Sequence, residues 1–280
     1  MQKIGTQAEW VARAAEVLPG GGFGNFDPSV VIRAGKDAHV WDEDGTRYID
    51  YLIGSGPMLL GHGNAEVQEA IFGQIPKGMT FFASNSAGIE LAEQIVDAVE
   101  CAQTLRYVSS GGEADMYAMR LARAFTGRAD IMAHFDMARV GAEGWLMQLG
   151  TLSGNPVAAV AGMKTMEILR RDGQYDRLRA LGRQVMDMAG AALDEHGIAH
   201  RIVGDPTLFE VVFAAHDIRD YRDVLRADST ANATFNATLR AQGLFKSAGK
   251  TYPCLALSEA DLDHTRLAYQ RAGESVARLA

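Results

Sequence analysis

One segment of the sequence combines residue types that bind anions with a spacing that would present them together. It reads Ser109-Ser110-Gly111-Gly112-Glu113 and stands between a predicted short strand, Leu105–Val108, and a predicted helix over 113–126. Small residues let an anion approach the backbone, and the free N–H groups and dipole of a helix start favour negative charge. The segment has neither the Gly-Lys-Ser/Thr of a Walker A loop nor a GxGxxG fingerprint. An anion site and a plain turn capped by serine both remain open.

A second segment, Thr151-Leu152-Ser153-Gly154-Asn155-Pro156, has the composition of a helix start. Asn155 is suited to cap the helix, and Pro156 is suited to its first position, because the proline lacks an N–H that would be unpaired there anyway. A long helix is predicted to continue to about Arg171. By itself this segment is explained by capping alone.

Composition limits the classes of protein to which these segments can belong. The chain has 280 residues, 48% hydrophobic and 22% charged, with a formal net charge of −8. This balance excludes a disordered protein and disfavours a nucleic-acid partner, which a basic surface would attract. Two cysteines cannot form a disulfide framework, no Cys/His cluster indicates a metal site, and no signal peptide or membrane span is found. We expect a soluble, cytoplasmic protein without a membrane partner.

Periodicity and turn signals predict an alternation of helices and strands around both segments. A hairpin is predicted from arms Asp37–Trp41 and Thr46–Tyr51, joined by a turn that contains Asp44-Gly45. The predicted helices cover 6–18, 65–73, 85–100, 113–126, 156–171, 175–196, 219–242 and 258–278, and further strands are predicted near 199–203 and 207–214. In helix 113–126 the residues Ala114, Tyr117, Ala118, Leu121 and Phe125 form one apolar stripe, with Arg120 and Arg123 off it.

Five further runs stand in a characteristic order along the chain: Val40–Tyr51, Gly54–His62, Ser109–Ala114, Arg120–Arg128 and Gly150–Pro156. Taken in this order, they resemble the class III pyridoxal-phosphate (PLP) aminotransferases, and the nearest branch is that of glutamate-1-semialdehyde 2,1-aminomutase. The resemblance covers nearly the whole chain, which makes it more specific than any single motif.

The resemblance implies an α/β fold of the fold-type-I PLP-transferase architecture, with a large cofactor domain and a C-terminal α+β small domain. It implies PLP as cofactor, a small amino acid or amine as substrate, and a homodimer. It also implies that Ser110, Gly111 and Gly112 hold the cofactor phosphate, that Thr151 reaches the phosphate of the partner subunit's cofactor, and that the region of Ser55 lines the substrate pocket.

The chain departs from the family pattern in its middle. The family usually has threonine at the position of Gly112, and an arginine common in the N-terminal loop of the aminomutase branch has no clear match. A long central stretch is absent, with a seam at about 127–130. In the family that stretch carries the ring-stacking motif, the aspartate that binds the ring nitrogen, and the Schiff-base lysine. The large domain is therefore predicted to be truncated, over 54–150, between an N-terminal segment, 1–53, and a C-terminal segment, 151–280.

Lysine is scarce here, and its positions matter because PLP chemistry needs a lysine aldimine and an acid/base group. Only six lysines are present, and none has the expected sequence context; they are Lys3, Lys36, Lys77, Lys164, Lys246 and Lys250. We therefore assign no catalytic residue and predict that this chain is inactive in the family reaction, amino-group transfer or a 1,2-amino shift.

Three hypotheses remain open at this point. The chain belongs to a class III enzyme whose central segment is missing from it, or it is an internally deleted remnant acting as a dimerising, phosphate-binding module. The third is an unrelated soluble module whose Ser-Ser-Gly-Gly-Glu turn binds another phosphate ligand.

Overall fold

A computed structural model describes residues 5–23, 26–81, 83–126 and 154–279. The chain divides into two compact units. Unit 1 joins Met1–Asn64 to Leu169–Ala280, and unit 2 is Ala65–Ile168. The predicted deletion seam at 127–130 and the site residue Thr151 lie outside the described residues.

Unit 1 contains a four-stranded sheet in the order β1-β2-β3-β6. β1, β2 and β3 are antiparallel neighbours, whereas β6 pairs with β3 in parallel through Ile49 opposite Leu244. The strands are β1 Ile32–Lys36, β2 His39–Asp42, β3 Arg47–Asp50 and β6 Leu244–Phe245. The sheet therefore combines backbone from both ends of the chain.

The β2–β3 hairpin is confirmed, and its turn follows from the residues predicted to form it. Gly45 has φ +89°, which glycine adopts without a Cβ penalty, and its N–H donates to Asp42 O at 3.0 Å. The Asp42 carboxylate accepts from the Thr46 N–H at 2.8 Å. The aspartate and the glycine therefore fix the turn locally.

The hydrophobic core of unit 1 lies among its helices, its second sheet and the N-terminal strands. β4 Arg201–Asp205 pairs with β5 Leu208–Val212. The helix Glu259–Ala277 (α9) packs against Ser229–Ala241 (α8) and Gln174–Asp194 (α6). Phe235 lies between Phe213 and Tyr269, with ring centroids 5.2 and 5.8 Å away. The helices are α1 Gln7–Val17, α6 Gln174–Asp194, α7 Tyr221–Val224, α8 Ser229–Ala241 and α9 Glu259–Ala277.

The described part of unit 2 is helical and contains no strand. Its helices are α2 Ala65–Gln74, α3 Ser86–Ala98, α4 Gly111–Thr126 and α5 Pro156–Leu169, the last ending at the boundary with unit 1. None of the described helices combines the length and the apolar character needed to cross a membrane.

Two predictions of secondary structure are wrong. Residues 105–108 form no strand, because no other strand lies in the described part of unit 2 to pair with their backbone. The helix predicted over 219–242 is two helices, α7 and α8. The Asp228 carboxylate accepts from the N–H groups of Thr230 and Ala231 and begins the second helix there.

Candidate functional site

The serine–glycine segment forms the start of α4 and is closed by its own acidic residue. The Glu113 carboxylate accepts from the Ser109 N–H at 2.8 Å and from the Ser110 hydroxyl at 3.2 Å. The Glu113 N–H donates back to Ser110 Oγ at 3.2 Å. This reciprocal pair caps the helix, so two donors suited to an anion already serve an internal carboxylate.

The two glycines between them leave open space at the helix start. A Cβ added to Gly111 or Gly112 meets no atom within 4 Å. Within the described residues, the N–H groups of Gly111 and Gly112 have no hydrogen-bond partner. Free N–H groups at a helix N-terminus favour an oxyanion. The geometry therefore suits one phosphate group, in competition with Glu113.

The segment that follows Thr151 is held inside unit 2 by α3 and the loop before α4. Asn85 Nδ2 donates to Gly154 O at 2.8 Å, and the Tyr107 hydroxyl donates to Gly88 O at 2.8 Å. Gly154 has φ +67°, and a Cβ there would come within 3.1 Å of the Tyr107 ring. Burial raises the pKa of the Tyr107 phenol. The sequence did not indicate these contacts.

Ser55 belongs to unit 1 and lies in a strained loop. Four consecutive residues, Ile53 to Gly56, have positive φ, with Ser55 at +66° and Ile53 at +40°. Non-glycine residues rarely adopt this conformation, and such strain clusters at functional sites. The Tyr252 ring limits the loop from one side, since a Cβ on Gly56 would lie 3.2 Å from it. The role of Ser55 in a substrate pocket remains a prediction.

Each lysine that the structure describes either has a polar partner or lies far from the start of α4 in the sequence. Lys164 Nζ lies 2.5 Å from Glu167 Oε2 on α5, as an ion pair along one helix. Lys36 lies on β1, whose residues are all exposed, and Lys77 ends the short helix after α2. None of these lysines lies in the serine–glycine segment or directly after it.

Lys246, a lysine whose surroundings change its chemistry, was missed by sequence reasoning. Its ammonium donates to Asn236 Oδ1 at 2.5 Å and to Ser247 O at 2.7 Å. Burial lowers the pKa of Lys246 to about 8, although the carboxylate of Glu210 opposes this effect. Its position just after β6 gave no signal, because the strand is only two residues long.

Comparison with known proteins shows to which class this fold belongs. The sequence model for class III aminotransferases matches residues 24–136. A solved structure of the FumI protein from Sphingopyxis sp. MTA144, in its PLP internal aldimine form, superposes with a TM-score of 0.81. That superposition covers 97% of this chain and 96% of FumI at 19% sequence identity.

Curated relatives are named glutamate-1-semialdehyde 2,1-aminomutase. The one from Chloroflexus aurantiacus J-10-fl is 38% identical over 183 residues, covering 60% of this chain and 41% of the relative. The one from Neisseria meningitidis serogroup C is 26% identical over 373 residues, covering 80% of this chain and 87% of the relative. The chain thus spans about two fifths of the first of these relatives.

The solved structures share the fold of this chain, the fold-type-I architecture of PLP transferases, and the chain is shorter than its full-length relatives. Residues 24–136 match the class III aminotransferase model, in agreement with the motifs in that range. The cofactor of this family is PLP. The alignment with the Neisseria relative, 373 residues, is longer than this whole chain of 280. A long stretch of that relative therefore has no counterpart here.

The described residues fit only one end of PLP. The open amides of Gly111 and Gly112 suit its phosphate. In unit 2, Lys164 is paired with Glu167, and no strand is described that could place a lysine or an aspartate against the ring. The reacting end of the cofactor is thus not matched, and no chemical step can be assigned to these residues.

Proposed function

We propose that this chain carries the phosphate-anchoring helix and the small domain of a PLP-dependent amino-transfer protein but does not catalyse the reaction alone. The family reaction is amino-group transfer, or a 1,2-amino shift, on a small amino acid or amine. The proposal rests on one observation: the described residues suit the phosphate end of the cofactor but not its reacting end. Open N–H groups mark the phosphate end, and the lysines that the structure describes are engaged or distant in sequence.

Within this proposal the residues bind and orient but do not transfer a proton. Gly111 and Gly112 offer backbone donors, and the serine hydroxyl joins them when the carboxylate of Glu113 moves away. The strained loop of Ser55 contributes to the substrate pocket. Thr151 completes the site from a second subunit. The homodimer and the cytoplasmic location also remain proposals.

A second function, a phosphate-binding module without catalysis, is favoured by one observation of its own. The open space at Gly111 and Gly112 would admit a phosphate group even if the chain had no binding site for the cofactor ring. Such a module would bind inorganic phosphate about as well as PLP.

Borohydride trapping tests the proposal. The purified 280-residue chain is mixed with PLP, reduced with borohydride, digested and analysed by mass spectrometry. We expect sparse labelling spread over several lysines and no visible absorption band of a protein-bound aldimine. Stoichiometric labelling of a single lysine would falsify the proposed lack of catalytic machinery.

Phosphate competition separates the two functions. PLP and inorganic phosphate are titrated against the chain, with the amide signals of Gly111 and Gly112 followed by NMR. Tighter binding of PLP than of phosphate supports a cofactor site that extends beyond the phosphate. Equal affinity supports the module, and unmoved signals at both glycines reject both functions.

A further inference from the structure

Three separated parts of unit 2 are joined by a closed ring of four residues, which we call the clamp: Asn85, Gly88, Tyr107 and Gly154. The side chain of Asn85 accepts from the Gly88 N–H at 2.9 Å and donates to Gly154 O at 2.8 Å. The Tyr107 hydroxyl donates to Gly88 O at 2.8 Å. The Tyr107 ring closes the circle, because a Cβ on Gly154 would lie 3.1 Å from it. The clamp therefore joins the start of α3, the loop before α4 and the start of α5.

The clamp leaves little room for its parts to move separately. A Cβ on Gly88 would lie 3.1 Å from Gly154 O, and Gly154 has φ +67°, a conformation that residues with a side chain rarely adopt. Asn85 and Gly154 are 69 residues apart in the sequence, so their contact depends on the folded unit. Because closely packed and hydrogen-bonded segments have few alternative arrangements, displacement of one of them displaces its neighbours.

Along the chain, the clamp adjoins the two segments of the proposed phosphate site. Tyr107 precedes Ser109, the first residue of the serine–glycine segment, by two positions, and Gly154 follows Thr151 by three positions. Burial raises the pKa of the Tyr107 phenol, so its hydroxyl stays protonated and donates throughout the neutral pH range. The backbone that the clamp holds is thus continuous with both segments.

A phosphate at the serine–glycine segment must disturb the backbone next to the clamp. The Glu113 carboxylate accepts from the Ser109 N–H and the Ser110 hydroxyl, so an anion that takes these donors displaces it. The Ser109 N–H then exchanges one acceptor for another, two residues from Tyr107. The Tyr107 ring contacts Gly154, and its hydroxyl holds the first turn of α3. A path of direct contacts therefore runs from the phosphate donors to the start of α5.

We propose that the clamp couples these segments, so that a phosphate bound at the serine–glycine segment repositions the start of α5. This inference rests on the proposed phosphate site and adds the regulation of that site. Asn85 and Tyr107 serve as positioning residues, which act through the backbone they hold. Because the coupling is an equilibrium effect, it is reciprocal, and a displacement of the start of α5 changes the affinity for phosphate.

Titration of the full 280-residue chain with inorganic phosphate, followed by amide NMR, tests the coupling. The signals of Gly111 and Gly112 report on the phosphate, and those of Gly154 and Ala158 report on the start of α5. We expect all four signals to shift with one midpoint. Movement of the Gly111 and Gly112 signals alone would overturn the coupling but leave the phosphate site standing. No movement at either of these glycines would reject the phosphate site, and the coupling with it.

Two variants open the clamp while keeping the local fold. Asn85→Ser retains a residue suited to cap α3 but removes the amide group that holds Gly154 O. Tyr107→Phe retains the ring against Gly154 and removes the hydroxyl that holds Gly88 O. In both variants the glycines of the serine–glycine segment should still respond to phosphate. The response at Gly154 should be lost in Asn85→Ser and weakened in Tyr107→Phe.

A matched substitution controls for the loss of a phenolic hydroxyl in unit 2. Tyr117→Phe, on α4, lies outside the clamp and should leave the response at Gly154 unchanged. Circular dichroism should show equal helix content in all variants. A response at Gly154 that persists in Asn85→Ser would overturn the coupling, because phosphate would then affect the start of α5 by another route. An equal loss of the response in Tyr117→Phe would also overturn it, since the effect would not be specific to the clamp.

Discussion

The carboxylate of Asp50 and the imidazole of His62 lie 2.7 Å apart, Oδ2 to Nε2, and together they hold the start of the strained loop. The other oxygen, Oδ1, accepts from the N–H groups of Leu52 and Ile53 at 2.7 and 2.9 Å. Asp50 is buried, with 2% accessible. One carboxylate therefore fixes both the end of β3 and the entry to the loop that contains Ser55.

Replacing this carboxylate should destabilise unit 1. Asp50→Ala leaves two N–H groups and an imidazole without their acceptor, and we expect a loss of about 2–4 kcal/mol in the free energy of unfolding. Urea denaturation followed by tryptophan fluorescence measures it. The exposed Asp263 on α9, paired only with Arg266, is the control, and Asp263→Ala should change the value by less than about 0.5 kcal/mol. Equal effects of the two substitutions would contradict the anchoring role.

Lys246 should make the stability of unit 1 depend on alkaline pH. Burial lowers its folded-state pKa to about 8, below an unfolded value of about 10.4. Between these values the unfolded chain binds more protons, so stability rises with pH from about 8 to 10. The rise should amount to about 2–3 kcal/mol at most.

Urea midpoints at pH 7, 8, 9 and 10 measure this dependence. Lys246→Met should remove the rise in stability. Lys250→Met should keep it, because Lys250 lies in the same segment after β6 but is exposed. Glu210, whose own pKa is raised by burial, faces both lysines and is present in both variants. The difference between the unsubstituted chain and Lys246→Met isolates the lysine, because burial raises the pKa of the Cys254 thiol to about 11 in both and makes stability fall above about pH 9. Identical profiles of these two proteins would show that Lys246 is solvated in solution.

Glu113 should compete with any anion that binds at the start of α4. Glu113→Gln removes a negative charge from the helix N-terminus, so we expect phosphate to bind about two- to fivefold more tightly. NMR titration with inorganic phosphate measures the affinity. Glu259→Gln, in the first turn of α9, is the control for removal of one charge and should have no effect. Weaker phosphate binding by Glu113→Gln would indicate that the capping arrangement itself forms the anion site.

Arg120 should be replaceable with a gain in stability. Arg120→Met keeps much of the side-chain volume and removes a buried guanidinium whose Nε and Nη2 have no hydrogen-bond partner among the described residues, so we expect unit 2 to gain about 1–3 kcal/mol. Thermal unfolding monitored by circular dichroism measures the gain. Arg106→Met, at an exposed position before α4, should stay within about 0.5 kcal/mol. A loss of stability in Arg120→Met would mean that the guanidinium has a partner in solution.

Local signals in the sequence predicted most of the helices and the first hairpin, because caps and turns depend on neighbouring residues. Asn85 caps α3 through the Gly88 N–H, and Ser258 caps α9. Gly45 fixes the β2–β3 turn. β1 was missed because its five residues are all exposed and do not alternate between apolar and polar.

Features that depend on distant partners could not be read from the sequence. The stripe of Leu121 and Phe125 has the pattern of a buried face, yet both side chains are exposed, since burial needs a partner that the pattern does not contain. The segment 105–108 has strand-forming residues, but the described part of unit 2 contains no strand that could pair with it. The low pKa of Lys246 arises from its burial, which the local sequence does not encode.

The parallel pair of β3 with β6 has a consequence for how this gene product can change in length. Ile49 and Leu244 are neighbours, so everything in unit 2 is an insertion between two halves of unit 1. The entropy of closing such an insertion varies only logarithmically with its length, by about 0.6 kcal/mol for each doubling. Unit 1 can therefore retain its fold while the inserted unit gains or loses a large block of sequence. The four-stranded sheet of unit 1 cannot form completely until β6 has been translated. The helices of unit 2 therefore leave the ribosome before β6 can pair with β3.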